Sequence, residues 1–284
     1  VTLISGAAMV AGVVGEPIAH SLSPRIHGAW IEAAGLDAAY VPFRVPPERF
    51  RGFVQGLRGG LIRGLNVTIP HKQDALAIAD ETDLLARRSG AANLLVFHED
   101  GRIEARNADA PGLLAALAEQ APQLDLTAAP AVILGAGGAA RGAAAALVAA
   151  EVPEIRLVNR TWTRASSLAE AFPRTYPFEL ADAAKAFEGA GVVINATSTG
   201  LNGDGALDLP LHVLPPTAVV MDMVYKPLET GLLKAAKAHG LPTVDGLAML
   251  VGQARPSFEA FYGRPPPMEV DVRSLCLKVL GEQG

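Results

Sequence analysis

Gly135-Ala136-Gly137-Gly138-Ala139 stands between the apolar run Val132-Ile133-Leu134 and an alanine-rich stretch that opens with Ala140-Arg141. These residue types suit the holding of a phosphate. Gly135 admits a tight strand-to-helix turn, Gly137 and Gly138 let backbone N–H groups approach an anion, and a helix starting there directs the positive end of its dipole at the same point. A glycine pattern alone is common, so the next strand has to decide. Ile155-Arg156-Leu157-Val158 reads as that strand and ends in Asn159-Arg160-Thr161-Trp162-Thr163-Arg164. An acid at such a strand end would bond ribose hydroxyls and repel a 2′-phosphate, whereas Arg160 and Arg164 offer that phosphate charge-assisted hydrogen bonds. The expected cofactor is NADP(H), held by Gly135 to Ala139 and by Asn159, Arg160, Thr161 and Arg164.

Other residues in the first half of the chain can bind or move protons. Ser21 and Ser23 lie two apart before an expected helix, where two hydroxyls and free N–H groups can converge on an anion. Taken alone, they fit ordinary helix capping better. Lys72 follows Asn66-Val67-Thr68-Ile69-Pro70-His71 and reads equally as a surface lysine at a helix start, although the first turn is electrostatically poor ground for a cation. Asp109, in Asn107-Ala108-Asp109-Ala110-Pro111-Gly112, is well placed to cap a helix.

Gly15-Glu16-Pro17-Ile18-Ala19-His20-Ser21-Leu22-Ser23-Pro24 and Asn66 to Lys72 are joined by Gly135 to Arg141 and by Asn195-Ala196-Thr197-Ser198. Asp222-Met223-Val224-Tyr225 and Asp245-Gly246-Leu247-Ala248-Met249 through Gln253 complete the set. Six motifs in this order resemble the shikimate dehydrogenase family over nearly the whole chain. The resemblance implies NADP-dependent hydride transfer between 3-dehydroshikimate and shikimate, in aromatic amino-acid biosynthesis. It makes Lys72 and Asp109 the catalytic pair, Ser21 and Ser23 the anchor of the substrate carboxylate, and Thr68, Asn93 and Gln253 the partners of its hydroxyls, with Tyr225 helping at the carboxylate. Thr197, Met223, Gly246 and Met249 fall to the cofactor. Leu94 and Ala108 stand where the family commonly has threonine, and Ala110 where it has glycine, changes that bear on preference among related polyols. A quinate or aminoshikimate dehydrogenase paralogue is one alternative. A non-catalytic NADP-binding sensor is another, against which Lys72 and Asp109 speak.

The elements that must position these residues alternate. Strands are expected near Val10–Val14, Ala39–Phe43 and Gly64–Val67, with helices at Pro24–Ala34 and Pro47–Leu57, where Ser23 caps the first of them. A helix at Asp109–Gln120 leads to a second alternation, with strands at Ala131–Leu134, Ile155–Val158, Val192–Ile194, Ala218–Asp222 and Pro242–Val244. Helices at Gly138–Ala149 and Thr163–Ala171 separate them, and helices at Gly246–Tyr262 and Met268–Leu280 follow. The expected fold is α/β with mostly parallel sheets. By resemblance, residues 1–108 with 246–284 bind substrate, 109–245 form a Rossmann-type NADP domain, and the site lies in the cleft between them.

The chain of 284 residues is half hydrophobic, ample for a sizeable core, and its net charge of −5 with scattered basic residues speaks against nucleic acid as a partner. No apolar run is long enough to span a bilayer. Cys276 is the only cysteine, and the six histidines lack partners at metal-ligand spacing, so neither a disulfide nor a metal site is expected. The apolar stretch Met9 to Val14 reads as a first strand rather than a signal peptide. The expectation is a cytoplasmic monomer or homodimer with a small-molecule substrate.

Overall fold

A computed structural model of the chain describes residues 3–201 and 208–281. They form two compact units, one of residues 3–108 with 253–281 and one of residues 109–201 with 208–252.

The first unit runs β1 (Met9–Gly15), α1 (Ser23–Ala33), β2 (Ala38–Arg44), α2 (Pro47–Gln55), β3 (Ile62–Val67), α3 (Lys72–Ala77), β4 (Glu81–Thr82), α4 (Leu84–Ser89), β5 (Leu94–Phe97) and β6 (Ile103–Arg106). Its sheet has the order β2-β1-β3-β5-β6-β4. β1 is parallel to β2 and β3, and β4 to β6, as the alternation of strands and helices requires. β5 departs from this and runs antiparallel to both β3 and β6. The connection from β5 to β6, residues 98–102, is too short for a parallel crossover, which needs about a dozen residues.

The second unit runs α5 (Asp109–Gln120), β7 (Ala131–Leu134), α6 (Gly138–Ala149), β8 (Ile155–Asn159), α7 (Trp162–Ala169), β9 (Thr175–Glu179), α8 (Ala183–Phe187), β10 (Val192–Asn195), β11 (Val219–Asp222), α9 (Gly231–Ala238) and β12 (Thr243–Val244). The sheet order is β12-β11-β10-β7-β8-β9, and every pairing is parallel. β7, β10 and β11 are buried along their whole length, which is why each reads as a nearly unbroken apolar run. The chain moves outward from β7 in one direction and then restarts beside β7 in the other, so a topological switch point falls between β7 and β10.

α10 (Gly246–Tyr262) starts in the second unit and belongs to the first from Gln253 onward, where α11 (Val272–Leu280) follows. α11 starts later than its apolar pattern suggests. Asp271 ends the preceding loop by accepting the Ser274 N–H at 2.9 Å, a helix cap that sets the boundary.

α1 corrects the expected role of Ser23. The helix begins at Ser23 itself, Leu22 occupies the capping position, and no side chain caps it. Ser23 is buried and its hydroxyl reaches the Tyr40 phenol instead, while its N–H donates to Ser21 Oγ at 3.3 Å.

Beneath α1 lies an aromatic cluster of Trp30, Tyr40, Phe258 and Phe261 with His27 at its centre. The His27 ring stacks on Tyr40 with centroids 4.0 Å apart and planes 5° from parallel. It is fully buried, and neither ring nitrogen has a hydrogen-bond partner among the described residues. Burial penalises the imidazolium and pulls its pKa from the usual 6.5 to about 3. The unfolded chain therefore binds this proton more readily than the folded one between those values. The stability involved is present in full above pH 6.5 and is lost as pH falls toward 3, at up to about 1.4 kcal/mol per pH unit. The melting temperature is expected to fall on acidification from pH 6 to 4.5, and His27→Phe to flatten that slope. An identical slope in the variant would refute the assignment.

Candidate functional site

In the second unit, the glycine turn joins β7 to α6 at the switch point, where open parallel sheets bind ligands beyond their carboxyl ends. Gly135 has φ +106°, a conformation that side chains rarely adopt, and its N–H donates to the Val158 carbonyl at 2.8 Å. The turn is thereby tied to the end of β8. A Cβ at Gly135 would come within 3.0 Å of Thr197 Cγ2. Gly137 caps α6 in extended backbone with no side chain bonded to the helix end, and a Cβ there would meet no atom of the protein. Packing within the chain does not account for a glycine at 137, and the absence of a side chain leaves the N–H groups at the start of a twelve-residue helix open to a close-lying anion.

Asn159 ends β8 and holds the next turn through its Nδ2, which donates to the Thr161 carbonyl at 2.9 Å. Arg160, Thr161 and Arg164 are exposed beyond it, and neither arginine has an acidic partner among the described residues. Their charge is available to an anionic ligand. On the other side of β7, Thr197 is fixed by Asn195, whose Oδ1 accepts the Thr197 N–H at 3.1 Å and hydroxyl at 2.7 Å. Met223 follows β11, and Gly246 opens α10 against it. A Cβ at Gly246 would lie 2.5 Å from the Met223 carbonyl oxygen. Met249 is buried one turn further along α10, and Tyr225 is half-buried after β11. Gly135 thus meets Thr197, and Gly246 meets Met223, beyond the carboxyl ends of β7, β10 and β11.

Asp109 is the first residue of α5 and is only 7% exposed. It packs on α6, where a Cβ at Gly142 would come within 3.2 Å of the Asp109 Cβ.

In the first unit, Lys72 opens α3 just beyond the end of β3 and is half-buried. The turn before it is pinned by His71, which is buried, stacks on Phe50 with centroids 4.3 Å apart and shares a 2.7 Å hydrogen bond with the Val45 carbonyl. The Lys72 carbonyl in turn accepts the Ala92 N–H at 2.9 Å. Thr68 packs its methyl group where a Cβ at Gly15 would stand. Asn93 is buried and its Oδ1 accepts the Ala108 N–H at 2.7 Å. Gln253 is 8% exposed, and its carbonyl accepts the Ser257 hydroxyl at 3.0 Å.

A buried network connects several of these groups. Tyr40 donates to Asn66 Oδ1 at 2.7 Å, and Asn66 Nδ2 reaches Ser257 Oγ at 2.8 Å and the Asn93 carbonyl at 3.3 Å. Ser23, Asn93 and Gln253 therefore share one polar core, whereas Asp109, Tyr225 and the residues assigned to the cofactor belong to the second unit. Sequence reasoning passed over Tyr40 and Ser257, and it gave no role to three residues that it placed in motifs, Asn66, Asn195 and Asp222. For the last two a signal existed: apolar runs that both end in a polar residue. Leu94, Ala108 and Ala110 are each buried to within 2% and act as packing residues. Among the described residues, no group of three or more His, Cys, Asp or Glu side chains could hold a metal ion, and no helix is long and apolar enough to cross a membrane.

A parallel sheet with a glycine turn at its switch point, two arginines without acidic partners beside it and a second α/β unit carrying a buried polar core define a dinucleotide-dependent α/β protein. Residues 13–95 match the family described as the shikimate dehydrogenase substrate binding domain, and residues 116–202 match shikimate / quinate 5-dehydrogenase. The chain is 60% identical over 280 residues to the shikimate dehydrogenase (NADP(+)) of Caulobacter vibrioides, covering 98% of each sequence. It is similar in structure to the shikimate 5-dehydrogenase of Thermus thermophilus solved with NADP(H) and shikimate, with TM-score 0.82 and 39% identity over 91% of this chain and 95% of the other. The quinate dehydrogenase of Corynebacterium glutamicum, solved with NAD, has TM-score 0.84 and 28% identity over 92% and 95%. The chain belongs to the shikimate dehydrogenase family.

The close approach at Gly246 carries a prediction. Gly246→Ala must displace the backbone at Met223, and an overpacked site of this kind costs about 1–3 kcal/mol. The variant is expected to melt several degrees lower than the parent, and an unchanged melting temperature would contradict the packing.

Proposed function

We propose that this protein catalyses the NADP(H)-dependent interconversion of 3-dehydroshikimate and shikimate. The observation that carries this reading is the match, at 60% identity over 98% of each sequence, to an NADP-dependent shikimate dehydrogenase, in a chain that has Lys72, Asp109 and the glycine turn at its own strand and helix ends. Gly135 to Ala139, Asn159, Arg160, Thr161, Arg164, Thr197, Met223, Gly246 and Met249 would hold the cofactor. When bound, NADP+ supplies the acceptor for the hydride that leaves the carbinol carbon.

The chain's own residues have the remaining tasks. Ser21 and Ser23 bind the substrate carboxylate with Tyr225, and Thr68, Asn93 and Gln253 bond its hydroxyls. Oxidation of a secondary alcohol releases the hydroxyl proton, and Lys72 Nζ takes it; in the reverse direction the ammonium returns it to the oxygen on which negative charge develops. Asp109 orients the amine and the hydroxyl. The reading extends to a cytoplasmic monomer or homodimer whose partner is a small molecule, and the net charge of −5 supports the absence of nucleic acid.

The direct test is reduction of NADP+ by purified protein with shikimate, with quinate and without substrate; reduction with shikimate is expected, and none would overturn the reading. Lys72→Ala is expected to lower kcat by roughly a hundredfold to ten-thousandfold with the melting temperature retained. Asp109→Asn should also slow turnover, and the double variant should lose much less than the product of the single losses. Near-parental turnover in Lys72→Ala would remove it from the reaction.

Cofactor choice is a separate prediction. Charge-assisted bonds from Arg160 and Arg164 to the 2′-phosphate, each worth about 1.5–3 kcal/mol, give NADP+ at least roughly tenfold higher kcat/KM than NAD+. Arg160→Ala should weaken NADP+ much more than NAD+, and an equal loss for both would exclude a phosphate contact.

A further inference from the structure

Asn195 and Asp222 end adjacent parallel strands and lie directly opposite each other in the register of β10 and β11. Both are buried, Asp222 completely. Asp222 Oδ1 accepts from Asn195 Nδ2 at 2.9 Å and from the Val224 N–H at 3.0 Å, and Oδ2 accepts the Thr230 hydroxyl at 2.7 Å. All three partners are neutral donors. Burial raises the pKa of this carboxyl, so the protein gives up solvation of a charge to keep an acceptor there. An asparagine of the same size would turn an NH2 group toward one of those donors.

The bonds continue outward into three segments. Asn195 Oδ1 holds the N–H and hydroxyl of Thr197, and Thr197 Oγ1 then accepts the Thr199 N–H at 3.1 Å. Val224 fixes the backbone after Met223, while Thr230 Oγ1 caps α9 by accepting the Leu233 N–H at 3.3 Å. Two of these segments are the ones that press on glycines, Thr197 against Gly135 and Met223 against Gly246. Movement of Thr197 would reshape the wall of the glycine turn, and movement of Met223 would shift the start of α10.

We propose that Asp222 is a positioning residue for NADP(H): through Asn195, Val224 and Thr230 its carboxylate sets the places of Thr197 against the glycine turn and of Met223 against Gly246. The inference rests on the proposed function for the identity of the ligand, and it adds residues that touch neither cofactor nor substrate. Its test compares Asp222→Asn, Thr230→Val and Thr230→Ser with the parent. The measurements are the Kd of NADPH, followed by its own fluorescence, and the KM values for NADP+ and shikimate. Asp222→Asn is expected to raise the NADPH Kd and the NADP+ KM at least tenfold while the shikimate KM stays within twofold. Thr230→Val should raise them about fivefold, and Thr230→Ser, which keeps the hydroxyl, should return them to within twofold of the parent. Should Asp222→Asn fail to fold, the threonine pair decides. Equal losses for NADP+ and shikimate, or a lower melting temperature in Thr230→Val with NADPH affinity unchanged, would overturn the proposal. A parent that binds NADPH without oxidising shikimate would count against the proposed reaction alone, because the Kd ratios among variants would still read the role of Asp222.

Discussion

A polar side chain buried at the end of a strand has to find its hydrogen bonds inside the protein, because leaving one group unpaired costs about 1–3 kcal/mol. Both units are organised around this requirement. In the second, the carboxylate of Asp222 and the amide of Asn195 satisfy each other across neighbouring strands and use their remaining capacity on the Thr197 and Val224 backbones. In the first, Asn66 ends its bonds on Tyr40, Ser257 and the Asn93 carbonyl, and Asn93 spends its Oδ1 on the Ala108 N–H. The apolar strands supply the hydrophobic stabilisation, but such burial has no direction. Directional bonds at the strand ends convert a packed sheet into a set of loops with defined positions, and the proposed ligand-binding residues are carried by those loops.

How far the sequence can be read follows from the same distinction. β7 and α6 have the expected bounds, since a continuous apolar run broken by glycine leaves little choice of register or of turn. β5 and β6 are four residues each and lack a distinct period, so their antiparallel course becomes visible only through the short connection between them. Asn195 and Asp222 stand out as polar ends of apolar runs, yet their mutual bond depends on β10 lying beside β11, a fact of sheet order. Asn66 and Ser257 stand 191 residues apart in the chain, and no local pattern encodes their meeting with each other or with Tyr40. Ser23 shows the opposite failure. The pair Ser23-Pro24 has the local form of a helix start, but a tertiary partner, the Tyr40 phenol, takes the hydroxyl that capping would have used.

α6 joins two functions that the sequence presents as unrelated. Gly137 and Gly138 at its start are the glycines proposed to offer their N–H groups to the pyrophosphate, and seven of its twelve residues are alanine, with Ala140, Ala143, Ala144 and Ala146 wholly buried. Small side chains let a neighbouring helix approach closely. At Gly142 the approach of α5 is such that even a methyl group would come within 3.2 Å of the Asp109 Cβ. The helix proposed to present its N-terminus to the cofactor is thus also the surface against which Asp109 is set. A larger residue at 142 would have to move α5 or α6, because close-packed interiors relieve strain by shifting whole elements rather than by compressing. The position of the proposed acid–base partner and that of the proposed phosphate site are therefore coupled through a single helix, and the lack of bulk along that helix is the physical condition for both.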